Sequence, residues 1–232
     1  MAKDTGKIKK EEENLSELEN ALTKTESVLQ NHQKQITIVV AILVVVVVGY
    51  IGFKKFYIQP KEKSAQSQMF AAEQYFEKDS FNLAINGDGN YFGFLDIIDR
   101  YGITKSAKLA NYYIGISYLH LGNYKEAVNY LNKFKSEDLL LAPVCEGAKG
   151  DAYLEMNNSK KALVCYKKAI SYKNDFTAPV YLMKAALVYE TEGNNEKALE
   201  SYQEIKENYP KSTEGREIDK YIGRLSAKQL NK

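Results

Sequence analysis

The chain has 232 residues, 32 Lys and Arg against 30 Asp and Glu, a net charge of +2 and 44% hydrophobic residues. So even a balance leaves no basic footprint, which argues against nucleic acid as a partner. Two cysteines, Cys145 and Cys165, make no disulfide framework, and two histidines, His32 and His120, stand without a second ligand at metal spacing.

Residues 1–35 form a polar N-terminal segment. Leu15, Leu18, Leu22, Thr25, Leu29, His32 and Ile36 alternate at spacings of three and four, the seam pattern of a short coiled coil. Weak homodimerisation through this segment is one expectation, and a solvated single helix is the other. His32 then lies on a helix face.

The run Ile36–Phe53, ITIVVAILVVVVVGYIGF, carries no charge and is closed by Lys34 on one side and Lys54 and Lys55 on the other. At about 1.5 Å per residue it covers roughly 27 Å as a helix, close to the thickness of a hydrocarbon core. Its Ile, Val, Leu and Phe residues favour insertion by on the order of 4–8 kcal/mol. Valine-rich sequence also suits strands, but an unpaired strand edge cannot exist in lipid. A cleaved signal peptide is disfavoured, because a long polar segment precedes the run and no small-residue cleavage site follows it. Residues 36–53 are therefore expected to be a transmembrane signal anchor, with residues 54–63 a juxtamembrane linker. Lys54, Lys55, Lys61 and Lys63 outnumber Lys24 and Lys34, so the positive-inside rule alone places the larger part in the cytoplasm.

Three segments beyond the anchor align without internal gaps, from Lys108, Pro143 and Pro179. Small residues recur at Gly115, Gly150 and Ala186, and tyrosines follow at Tyr118, Tyr153 and Tyr189. Alanines return at Ala127, Ala162 and Ala198, then bulky residues at Leu131, Tyr166 and Tyr202. Each segment reads as two helices in close approach, the small residue of one against the alanine of the other. Gly122-Asn123, Asn157-Asn158 and Gly193-Asn194 sit where each hairpin turns, since Gly and Asn tolerate positive φ. Pro210 closes the third unit.

This pattern resembles the tetratricopeptide repeat, a helix–turn–helix with a G-x2-Y…A-x3-F…P signature. Residues 108–142, 143–178 and 179–211 are the three repeats. A divergent first hairpin over 64–107 carries Ala72 and Tyr75, then Phe94, Ile97 and Tyr101-Gly102, with extra residues between. In 212–232, the stripe Ile218, Tyr221, Ile222 and Leu225 reads as a C-terminal capping helix. The expected fold class is all-α: one transmembrane helix, then an α-solenoid of about four hairpins plus a cap.

Chemistry-bearing motifs are sparse. The chain contains no H-E-x-x-H, C-x-x-C, G-x-S-x-G or Walker A run. Asn86-Gly87-Asp88-Gly89-Asn90 fails as a calcium loop, because Tyr91 and Ile97 occupy the places of the required Gly and Glu. Phe92 breaks a G-x-G-x-x-G reading. No enzyme activity, cofactor or metal is expected. The repeat resemblance implies a groove lined by the first helix of each unit. The positions carried over are Leu109, Tyr112, Ile116 and Leu119; then Val144, Gly147, Asp151 and Leu154; then Val180, Met183, Leu187 and Glu190. Mostly apolar, they suit an amphipathic or extended apolar segment of a protein partner, unless the chain's own terminal helices cover them.

The order of parts, together with ALTKTESVLQNHQK and AINGDGNYFGFLDIIDRYGITKSAKLANYYIGISYL, resembles a tetratricopeptide membrane family of the Bacteroidetes, similar in architecture to YfgM-type inner-membrane proteins. That resemblance implies an ancillary role beside the Sec translocon. The repeat domain would lie in the periplasm and contact periplasmic chaperones or secreted clients.

Overall fold

The computed structural model describes residues 33–230 except Ile36, and all regular structure among them is helical. The expected coiled-coil seam, Leu15 to His32 with Ile36, lies outside the described residues. Two compact units are present, Met1–Gln59 and Pro60–Lys232.

In the first unit, the described residues of the apolar run are helical and contain a window of mean hydropathy 2.9 with none of it buried. By length and composition it is able to cross a membrane. A widened π-helical turn, Lys54–Ile58, follows, with the Gln59 N–H donating to the Lys54 carbonyl. It stands just before Pro60, which has no N–H to donate. Residues 54–63, read as a linker, are thus helical.

The second unit is a stack of helical hairpins. Its helices are α1 (Gln59–Glu77), α2 (Phe81–Asn86), α3 (Phe94–Tyr101), α4 (Lys105–His120), α5 (Tyr124–Lys133), α6 (Leu141–Glu155), α7 (Ser159–Ile170), α8 (Ala178–Thr191), α9 (Asn195–Asn208) and α10 (Thr213–Leu230). The turns α4–α5, α6–α7 and α8–α9 share one geometry. Gly122, Asn157 and Gly193 take φ of 76°, 55° and 75°. The next residue's N–H reaches back to the signature tyrosine: Asn123 to Tyr118, Asn158 to Tyr153 and Asn194 to Tyr189, each 2.8 Å. These are Schellman closures, which satisfy carbonyls that the helix end would otherwise orphan. The following helix is then capped by the asparagine side chain itself where Asn158 accepts from the Lys161 N–H and Asn194 from the Lys197 N–H.

A fourth copy closes α1. Asp79 takes φ 55° and the Ser80 N–H reaches Tyr75 O at 2.8 Å. That register makes Ala84, fully buried, the counterpart of Ala127, Ala162 and Ala198. The extra residues of the divergent hairpin therefore interrupt its second helix, splitting it into α2 and α3. The loop between them is shaped by Asp88, whose carboxylate accepts the N–H of Asn90 and Tyr91 and the hydroxyl of Tyr75. These bonds, led by the Tyr91 N–H, hold the Asp88 carboxyl below its ordinary value.

Packing follows the repeat pattern. A Cβ at Gly115 would run into Leu131, and one at Gly150 into the Tyr166 ring, so each small residue makes room for a bulky residue from the partner helix. One core joins Met69, Ala72, Ala84, Ile85, Phe94 and Ile97 to Ala110 and Ile114 of α4. Another runs from α7 through α8 and α9 to Ile218 and Leu225 of α10, with Tyr221 and Ile222 half-buried beside it. The stripe on α10 thus covers the last hairpin.

Candidate protein-binding groove

Four of the expected groove residues come together. Leu119 of α4, Asp151 and Leu154 of α6 and Leu187 of α8 line a cleft of about 520 Å³, joined by Tyr124, Glu155, Tyr166, Lys184, Val188 and Thr191. The stacking of successive first helices explains the convergence, since equivalent faces of α4, α6 and α8 lie side by side. Leu154 and Leu187 remain 38% and 42% exposed.

The cleft has two polar pairs, the outer one a hydrogen bond of 3.2 Å from the Tyr124 hydroxyl to the Glu155 carboxylate, the inner one more tightly built. The Asp151 carboxylate accepts the Tyr166 hydroxyl at 2.8 Å and lies 2.7 Å from Lys184 Nζ. Burial, then the Asp151 charge, pushes the Tyr166 phenol far above its ordinary value. The neutral phenol and ion pair form a fixed polar wall between apolar residues, able to orient a peptide's backbone but holding no activated nucleophile.

The remaining positions lie elsewhere. Tyr112 and Ile116 pack with Phe134 against buried Leu131, Cys145 and Ala148, and burial pushes the Tyr112 phenol up to about 12. Leu109 and Met183 pack against the first and last cores. Val144 is half-buried at the start of α6. Gly147 is buried, because a Cβ there would overlap the Tyr181 ring of the next hairpin. Val180 lines a separate recess of about 720 Å³ with Asp175, Phe176 and the α9–α10 connection. Glu190 is engaged at 2.6 Å by both the Tyr202 hydroxyl and Arg224 of α10.

The repeat pattern does not mark Tyr124, Glu155, Tyr166, Lys184, Val188 or Thr191 as lining residues. Lys184 directly follows Met183 in sequence, and the packing of successive hairpins brings it to Asp151. Cys145 hydrogen-bonds Leu131 O and is buried, with its thiol pushed up to about 11. His120 stacks on Phe81 with centroids 4.6 Å apart. Among the described residues no three His, Cys, Asp or Glu side chains gather as metal ligands.

A tetratricopeptide-repeat profile matches residues 109–138 and 181–212, and a second profile of the same description matches 147–176. The chain therefore carries tetratricopeptide repeats. A crystal structure of MamA protein is similar with a TM-score of 0.52 and 17% identity, over 73% of this chain and 91% of that one, a likeness of fold. No curated protein matches.

Proposed function

We propose that this chain is a single-pass membrane protein whose repeat unit binds other proteins, holding an apolar partner segment in the cleft of Leu119, Leu154 and Leu187. One observation carries the reading. An apolar helical window with no buried part and a repeat stack with leucines exposed along a cleft occur in the same polypeptide. An apolar window of this length without a covering protein face needs lipid as its solvent. Half-exposed leucines beside a fixed ion pair match a segment that offers apolar anchors and backbone polar groups. The anchor raises the local concentration of the scaffold near its membrane partner, and the cleft holds a second one. No catalytic step is part of this function.

The YfgM-like resemblance extends the reading. The repeat unit faces the periplasm from the inner membrane and assists secretion or envelope protein folding, with the Sec translocon, periplasmic chaperones or secreted clients as partners. The lysines at 54, 55, 61 and 63 favour a second reading, a cytoplasm-facing scaffold that organises another membrane complex. A topology reporter fused after Lys232 separates the two, since activity only in the cytoplasm overturns the periplasmic reading. Cross-linking in native membranes then tests the partners: recovery of translocon subunits or periplasmic chaperones is expected, and recovery of cytosolic proteins alone contradicts it.

A further inference from the structure

Antiparallel hairpins place all connections between hairpins at one edge of the repeat unit and all tight turns at the other. The start of α1 belongs to the first edge, because Glu62 accepts the N–H of Lys105 and the N–H and hydroxyl of Ser106 at the start of α4. Neighbouring connections touch there. Asn174 donates to Leu139 O at 3.0 Å, and Asp175 and Phe176 share a recess with Tyr209–Ser212.

The two edges differ in chemistry. On the connection edge Ile103 is 50% exposed, Leu139 67%, Leu140 52% and Phe176 80%. The turns at the opposite edge, 78–80, 121–123, 156–158 and 192–194, expose no large apolar residue. Single exposed leucines are ordinary on a protein surface. Beside those turns Leu83 and Leu154 reach only 41% and 38%, so the more exposed apolar residues in three successive connections need a different account.

We propose that this edge contacts lipid, with Ile103, Leu139, Leu140 and Phe176 entering the interfacial layer of the membrane. The inference rests on the membrane-anchor reading above. The occupant is a bilayer because the chain enters the repeat unit at this edge. Phe53 ends the apolar run and Pro60 begins the unit, and that stretch of chain reaches at most about 25 Å. Charge plays the smaller part. Exposed Lys105, Lys135, Lys173 and Lys211 flank the apolar residues, but Glu137, Asp138 and Asp175 stand among them. Asp138 is also committed to the N–H groups of Leu140 and Leu141. The contact should therefore persist at high salt.

The test uses the full-length chain in vesicles of phosphatidylethanolamine and phosphatidylglycerol with brominated acyl chains. Cys145→Ala and Cys165→Ala provide the background. A polarity-sensitive fluorophore is attached singly at Leu139→Cys, Phe176→Cys, Lys78→Cys, Glu192→Cys or Val45→Cys, and circular dichroism confirms that each variant is helical. We expect a blue shift and bromine-dependent loss of fluorescence at 139, 176 and 45, and neither at 78 or 192. Quenching at 45 without quenching at 176 overturns the lipid edge and leaves the anchor standing, whereas no quenching at 45 removes both. A blue shift at 176 that bromine does not quench and that grows with protein density assigns the edge to a second copy, and also overturns the proposal.

Discussion

Gly147 shows how much a single missing methyl decides in this stack. Its vacancy is filled by the Tyr181 ring, which lies against Tyr166 with centroids 6.1 Å apart and is itself largely buried. Gly147→Ala should therefore destabilise the protein by about 1–3 kcal/mol, the cost of forcing a packed ring aside, read as a lower thermal midpoint of the helical signal. The buried tyrosines set a pH limit of their own. Tyr112, Tyr166, Tyr181 and Tyr202 all have phenols shifted upward, first through burial and then through neighbours that include Asp151 and Glu190. The unfolded chain ionises near 10.0, so these groups support the fold fully below that pH. Their support falls as pH rises beyond it, because only the unfolded chain then gains by releasing protons. Loss of helix should accompany a late, steep rise in tyrosinate absorbance; ordinary phenol titration with helix intact would contradict this.

At the scale of elements, repeated turns and one long-range cap hold the hairpins in register. Four Schellman closures recur in the unit, and three were readable from Gly-Asn and Asn-Asn pairs. The fourth, Asp79-Ser80, was not, because an aspartate at positive φ carries no turn signature as plain as glycine's. That closure starts the second helix of the first hairpin at Phe81, ahead of the Phe94 expected from sequence, with Ala84 as its alanine. Glu62 shows the opposite limit. Nothing local marks it as structural, yet its carboxylate satisfies the first N–H groups of α4 from 43 residues away. Glu62→Ala should cost about 2 kcal/mol, the usual worth of charge-assisted hydrogen bonds, with faster hydrogen exchange at Lys105 and Ser106 than in α8. Unchanged exchange there would mean that Thr104, whose hydroxyl accepts the Ala107 N–H, caps α4 alone.

At the scale of the whole molecule, the proposed function depends on an exposed cleft and on an apolar run of which none is buried. Leu154→Glu with Leu187→Glu places charge where the partner's apolar residues should sit. Both leucines are partly exposed, so the thermal midpoint should hardly change while cross-linked partners are lost from native membranes. Undiminished cross-linking would move the binding surface elsewhere. Glu190 is a poor target for the same test. Arg224 and Tyr202 already occupy its carboxylate, and removing it would perturb the docking of α10.

By itself the sequence determined the helical class, the repeat register, three of the four turns and the apolar run, because each is written in local spacing and in residues with strong backbone preferences. Only the tertiary structure decided which first-helix residues face the cleft. It alone seated Tyr112 and Ile116 against Phe134, filled the space at Gly147 with Tyr181, and brought Lys184 to Asp151. Those outcomes depend on how far one hairpin leans over the next, and that lean is set by volumes from several helices packing at once.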